Sequence, residues 1–153
     1  MSKTCLIVDL DGTLALNDHR QHFLQKSPKD WASFFDACGN DQPNEAVIEV
    51  VRRLISGAES GDKPLRVYIL SGRVDTVMKE TTEWLARYVT FDYELHMRPE
   101  KDRSDDVDLK REMAAKLGLT PENVLAVIDD RNSVVKMWRE MGFTVLQVND
   151  HDF

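Results

Sequence analysis

Two aspartates, Asp9 and Asp11, stand two residues apart where the apolar run Leu6-Ile7-Val8 gives way to Gly12 and Thr13. In extended backbone, residues i and i+2 point to the same side, so the pair faces one spot just past a strand end. Carboxylates held that close call for a cation between them or a shared proton. A strand running into a surface turn would also place Asp and Gly here. A calcium loop does not fit: counting from Asp9, the sixth residue is Leu14 and the twelfth Arg20, where an EF-hand needs glycine and glutamate. What favours a site is the recurrence of polar residues after later apolar runs, in Ser71-Gly72-Arg73 and in Asp129-Asp130.

The elements that must position these residues alternate. Thr4–Val8, Leu65–Leu70, Tyr93–Met97, Val124–Ile128 and Phe143–Val148 are predicted strands. Ser27-Pro28 is expected to cap a helix with proline in its first turn, and Trp31, Phe34, Phe35 and Cys38 follow at helical spacing before Gly39. A second helix opens at Asn44, with Val47, Val50, Val51, Leu54 and Ile55 on one face. Further helices are predicted over Thr76–Tyr88, Val107–Leu117 and Ser133–Met141, the last two stopped by Gly118 and Gly142. Strands separated by helices of this length pair in parallel through right-handed crossovers, giving an α/β three-layer sandwich around a Rossmann-like parallel sheet. Ligands of such sheets bind beyond the carboxyl ends of the strands, and Asp9, Ser71 and Asp129 all fall on that rim.

The chain has 153 residues, of which 42% are hydrophobic, which suits one domain over residues 1–153 with a sizeable core. About residues 14–43 there is room for a flap and one short helix, not for a large cap. The formal charge of −7 argues against tracking along a nucleic-acid backbone, which needs a basic stripe. It leaves open a grip on one terminal phosphate by a few arginines. Lys3 precedes an apolar run too short for a signal peptide or a membrane span. Cys5 and Cys38 show no paired spacing, so a reducing, cytoplasmic setting is expected.

The rim offers carboxylates (Asp9, Asp11, Asp129, Asp130), the Ser71 hydroxyl and the cations Arg73 and Lys110, with no histidine pair or cysteine cluster for zinc. Oxygen-only ligands suit Mg2+, which binds one or two carboxylates together with a substrate phosphate. A phosphate beside several carboxylates would be repelled unless the metal and Lys110 neutralise it. Asp9-Leu10-Asp11-Gly12-Thr13, Ser71-Gly72-Arg73, Lys110 and Asp129-Asp130 resemble, in order, the four motifs of the haloacid dehalogenase (HAD) superfamily of phosphohydrolases. The finer resemblance is to the 3′-phosphatase domain of bacteriophage-type polynucleotide kinase–phosphatases. It takes in Arg20, Arg98, the loop Asp102-Arg103-Ser104-Asp105-Asp106, the run Ile128–Arg131 and the tail Leu146-Gln147-Val148 through Asp152-Phe153.

The resemblance implies a mechanism. Asp9 would attack phosphorus and form an aspartyl-phosphate. Asp11 would protonate the leaving alkoxide and then deprotonate the hydrolytic water, a dual role that calls for a raised pKa. Mg2+ would be held by the Asp9 carboxylate, the Asp11 main-chain carbonyl and Asp129, with Asp130 acting through water. Ser71 and Lys110 would hold the phosphoryl oxygens, and Arg20, Arg73 and Arg98 would bind substrate or support the site. Simpler roles stand beside these. Asp130 could cap the next helix, Arg98 could pair within its acidic loop, and Trp31, Trp84 and Trp138 read as core or lid packing. His19, His22, His96 and His151 show no ligand spacing. No Gly-x-x-x-x-Gly-Lys-Ser/Thr loop is present, so a free-standing phosphatase module without kinase activity is expected. The substrate would be a phosphorylated polynucleotide end, as in DNA repair. Alternatives are a nucleotidase acting on free (deoxy)nucleoside monophosphates, a receiver-like phospho-aspartate switch, or a relative that only binds.

Overall fold

Strands buried on both faces build two cores, one on each side of a sheet. A computed structural model of the chain describes residues 3–61 and 63–152, without the side chains of residues 59 and 60. Phe153, the end of the tail noted above, lies outside the described residues. In chain order the elements are β1 (Cys5–Val8), β2 (Ala15–Leu16), α1 (Trp31–Asp36), β3 (Gln42–Pro43), α2 (Glu45–Ser60), β4 (Arg66–Val74), α3 (Met78–Tyr88), β5 (Glu94–Arg98), α4 (Asp106–Lys116), β6 (Val124–Arg131), α5 (Asn132–Glu140) and β7 (Val145–His151). Five strands pair in parallel in the order β5-β4-β1-β6-β7, so the strand carrying Asp9 is the central one.

Leu6, Val8, Val67, Ile69 and Ile128 face one side and pack against Val51 of α2 and Trp84 and Leu85 of α3. Ile7, Tyr68, Leu70 and Val127 face the other and meet Ala114 of α4 and Val134 and Trp138 of α5. Each fully buried Leu, Ile or Val contributes about 1.5–3 kcal/mol of transfer free energy. This double-sided burial is the α/β three-layer sandwich, and it anchors the carboxyl ends of β1, β4 and β6 in one rigid rim.

The rim is less regular than a simple strand end. β4 continues through Ser71-Gly72-Arg73 to Val74, and β6 continues through Asp129-Asp130 to Arg131. In both, the register to the neighbouring strand shifts just there, between Leu70 and Val74 and between Asp129 and Arg131. Bulges of this kind re-aim side chains beside functional sites. The last strand begins at Val145, later than the sequence suggests, because Phe143 is buried against the Trp138 ring, with centroids 5.2 Å apart.

Between β1 and α2, β2 and β3 pair antiparallel (Ala15 with Pro43, Leu16 with Gln42). They join the two ends of a segment that holds a 3-10 stretch at Asp18–Gln25, α1, and a 3-10 turn at Ala37–Asn40. Ser27-Pro28 does not cap a helix. It is a cis peptide, and α1 starts at Trp31 because the Asp30 carboxylate accepts the Ser33 N–H at 3.1 Å, the usual N-cap bond. Trp84 and Trp138 are core residues, whereas Trp31 is 38% exposed. Among the described residues no helix is long and apolar enough to cross a membrane.

Candidate active site

Asp9 leaves the end of β1 with its carboxylate buried, and three other elements converge on it. Lys110 of α4 donates from Nζ to Asp9 Oδ1 at 2.6 Å and to Asp129 Oδ2 at 3.0 Å. Thr13 Oγ1 lies 3.0 Å from Asp9 Oδ2 and 3.2 Å from Asp130 Oδ1. Asp129 Oδ1 accepts the Asp130 N–H at 2.9 Å, and its Oδ2 is 3.3 Å from Trp138 Nε1. Gly12 makes this approach possible. Its φ is +82°, and a Cβ there would lie 2.0 Å from Asp130 Oδ2.

One oxygen each from Asp9, Asp129 and Asp130 lie within 4.8 Å of one another. Three carboxylates against one lysine leave a formal charge of −2, in a pocket where all four side chains are nearly inaccessible. Burial pushes the Asp9 carboxyl up, Asp129 adds to the rise, and Lys110 opposes it. Burial works against the Lys110 charge, yet Asp129 and Asp9 outweigh it and hold the ammonium protonated. An oxygen-only donor set short of two positive charges fits Mg2+. Asp11 contributes no side-chain oxygen to this cluster. Asp130 is not the cap of α5, whose N-cap residue is Arg131.

Asp11 turns instead to a second buried cluster. Arg73 donates to it from Nη2 at 2.8 Å and from Nε at 3.1 Å, and Arg20 Nη2 donates to the same carboxylate. Asp41 sits behind, accepting from Arg20 Nε at 2.7 Å and from Arg73 Nη2 at 3.0 Å. Burial alone would raise the Asp11 carboxyl, but Arg73 and Arg20 overcome it and hold the group well below the usual carboxylate range. The raised pKa that the dual role calls for is therefore corrected, since two guanidiniums bond the Asp11 carboxylate directly and outweigh its burial. Arg20 and Arg73 are fully buried and do not face the cleft. Their guanidiniums hold Asp11 and Asp41.

The cleft over Asp9 has a volume of about 550 Å³. It is lined by Asp9, Lys110, Asp129 and Asp130, by Trp31 and Phe35, and by Arg98, Arg103 and Arg131. Arg98 is largely occupied by its own loop. It donates to the carbonyls of Gly72 at 3.1 Å and Ser104 at 2.5 Å, and pairs with Asp106 at 2.6 Å. Arg131 takes the other Asp106 oxygen at 2.6 Å. Gly72 passes beneath, where a Cβ would lie 2.6 Å from Asp106 Oδ1. The Ser71 hydroxyl is buried and accepts the Arg73 N–H at 3.1 Å. It precedes Gly72, which lines the cleft, and is not itself among the lining residues.

The structure thus brings Asp9, Lys110, Asp129 and Asp130 together, and places Asp11, Arg20 and Arg73 in an adjoining cluster. Sequence reasoning passed over Asp41, which lies in a turn with no periodic pattern. It also gave no part to His151, whose Nδ1 is 2.5 Å from Asp130 Oδ2. The only trace of Asp41 in the sequence is a carboxylate immediately after the Gly39-Asn40 break.

Residues 3–153 match the family model of the polynucleotide kinase PNKP phosphatase domain. The chain belongs to that phosphatase family. It is therefore a HAD-type phosphoric monoester hydrolase, and the receiver-like alternative is set aside. A protein of Autographa californica nuclear polyhedrosis virus, which carries the name of a bifunctional polynucleotide kinase/RNA ligase, is 31% identical over 137 residues. These are 89% of this chain but 18% of the viral protein. A chain of the solved Pnkp1/Rnl/Hen1 RNA repair complex superposes with a TM-score of 0.76 at 30% identity, over 99% of this phosphatase and 44% of that chain. The chain thus spans less than half the length of these relatives. A haloacid dehalogenase-like hydrolase of Streptococcus pneumoniae shares the fold at 16% identity, with a TM-score of 0.65, over 95% of this chain and 84% of the other.

Proposed function

We propose that this phosphatase removes the 3′-phosphate from a polynucleotide end in a Mg2+-dependent reaction through an aspartyl-phosphate on Asp9. The observation that carries this reading is the Asp9 carboxylate at the head of the cleft, held by Lys110 and flanked by Asp129 and Asp130. The family match to a polynucleotide kinase phosphatase domain supports the substrate class. A HAD-family enzyme of Bacteroides thetaiotaomicron, similar in fold at 14% identity with a TM-score of 0.51 over 99% of this chain and 97% of its own, was solved with magnesium and inorganic phosphate. Asp9, Asp129 and Asp130 would hold the ion, together with the Asp11 main-chain carbonyl. When bound, Mg2+ neutralises charge on the phosphoryl oxygens.

The chain's own residues account for the rest. Thr13 and Lys110 fix the Asp9 carboxylate so that one oxygen can face phosphorus, and Lys110 is a fixed positive charge for the transferring group. Ser71, which precedes the cleft-lining Gly72, would receive a phosphoryl oxygen. Asp11 begins as an anion between Arg20 and Arg73, so it has no proton of its own to give. The proton that the leaving 3′-alkoxide needs arrives with the substrate monoanion and passes to the alkoxide through Asp11. Asp11 then takes a proton from the water that hydrolyses the aspartyl-phosphate and passes it to the departing phosphate, which leaves as the monoanion, so that Asp11 is an anion again. Phosphate monoesters lose their second proton near pH 6, so turnover should fall as pH rises above about 6. A flat profile from about 5 to about 8 would contradict this proton route.

The test is a panel of 3′-phosphorylated DNA and RNA oligonucleotides and 3′- and 5′-mononucleotides, each with Mg2+ and with chelator. Release of phosphate from strand ends, lost with chelator and in Asp9→Asn, is the expected outcome. Turnover of mononucleotides alone would give a nucleotidase instead.

A further inference from the structure

An aromatic wall and an uncommitted cation share the cleft with Asp9. Trp31 is 38% exposed, whereas Trp84 and Trp138 are sealed in the two cores. Its indole stacks on Phe35, with centroids 5.8 Å apart and planes at 24°, and meets Phe34 edge-on at 5.7 Å. The indole plane is thus fixed by two rings while its remaining surface borders the cleft. Lys29 Nζ lies over the same ring, 5.7 Å from its centroid, and adds positive charge beside it. Of the arginines that line the same cleft, Arg98 and Arg131 are both tied to Asp106. Arg103 lines the same space and is exposed, and its guanidinium has no ion-pair or hydrogen-bond partner among the described residues.

Given that the substrate is a 3′-phosphorylated strand end as proposed above, we propose that this cleft holds a terminal-nucleotide subsite, in which Trp31 stacks the last nucleobase and Arg103 pairs with the next backbone phosphate. The volume suits such an occupant, since ligand clefts run from about 300 to 1,000 Å³. A preset indole face accepts any base, because every base has a π-face. The subsite gives a protein of formal charge −7 a local grip on a polyanion without a basic stripe. It also distinguishes a strand from a mononucleotide, which has no second phosphate for Arg103.

The experiment compares two 3′-phosphorylated oligonucleotides that differ only in the last residue, one with its base and one with a stable abasic sugar. Wild type should prefer the base-bearing end, and Trp31→Ala should lower kcat/KM on it about tenfold. The same variant should lose much less on the abasic end, so the preference collapses, and Trp31→Phe should restore part of it. Equal loss on both substrates would overturn the stacking role. Arg103→Gln should flatten the dependence of log kcat/KM on log salt by about 0.7, and an unchanged slope would overturn the backbone contact. Wild type that hydrolyses mononucleotides but neither oligonucleotide would instead remove the strand-end substrate itself. That outcome is distinct from a strand phosphatase indifferent to Trp31.

Discussion

Replacing Lys110 by methionine keeps the length of the side chain and removes the one cation between Asp9 and Asp129. Two charge-assisted bonds, of 2.6 and 3.0 Å, disappear, and three carboxylates with oxygens within 4.8 Å face one another in a buried pocket. Breaking a buried ion pair by removing one partner destabilises by about 3–5 kcal/mol. For a chain of this size each kcal/mol moves Tm by about 2–4 °C, so metal-free Lys110→Met should melt about 6–20 °C below wild type in a thermal scan with chelator. Mg2+ should then raise Tm more in the variant than in wild type, because the pocket has gained a further uncompensated negative charge. Turnover should fall by about a hundredfold or more, the usual loss when a donor to developing charge is removed. The gap should also narrow as pH is lowered. A carboxyl whose pKa is raised in the folded state binds more protons there than when unfolded, so its contribution weakens as pH rises through the folded value. A metal-free Tm within about 2 °C of wild type would mean that Lys110 is a solvated lysine and that the pocket charge has been misjudged.

Asp41→Asn leaves the buried Arg20 and Arg73 short of one anion and should destabilise by about 3 kcal/mol, read from urea unfolding; a change below about 0.5 kcal/mol would deny Asp41 its part. Gly12→Ala forces a Cβ to within 2.0 Å of Asp130 Oδ2 at a φ of +82°. The left-handed backbone alone costs about 1 kcal/mol, and the displaced carboxylate should weaken the Mg2+-induced rise in Tm; an undiminished rise would place the ion elsewhere. Asp11 is held below its unfolded pKa by Arg73 and Arg20. Its contribution to stability is complete above the usual carboxylate range and is lost as pH falls through the lowered folded value. Asp11→Asn should therefore flatten the acid limb of the stability–pH curve, and an unaltered limb would count against the guanidinium contacts.

The sandwich was legible because Leu6-Ile7-Val8 and Val67–Leu70 are unbroken apolar runs, as strands buried on both faces must be, and because Gly118 and Gly142 end their helices with positive φ. The clustered carboxylates Asp9, Asp129 and Asp130 were legible for a local reason as well, since each follows an apolar run that had to be a buried strand. What could not be read is which way Asp11 turns. Two residues from Asp9 along the chain, it answers to Arg20, Arg73 and Asp41, whose convergence is a tertiary fact without a sequence period. The β2–β3 pair, two residues on each side, is too short to leave a pattern. Ser27-Pro28 carried a sound helix-start signal that Asp30 outcompeted three residues later.

That small clasp has a bearing on how the molecule could be remodelled. Leu16 and Gln42 face each other across it, and the Asn44 N–H reaches the Leu14 carbonyl at 2.8 Å, so whatever lies between departs from and returns to the sheet at one place. A larger piece spliced in at those two residues would leave every strand register intact and alter the roof alone. It would not be chemically neutral, because Arg20 and Asp41 would depart with the original piece. Any graft that enlarges the roof must bring its own arginine and aspartate to the underside of Asp11, or that carboxylate will answer to Arg73 alone.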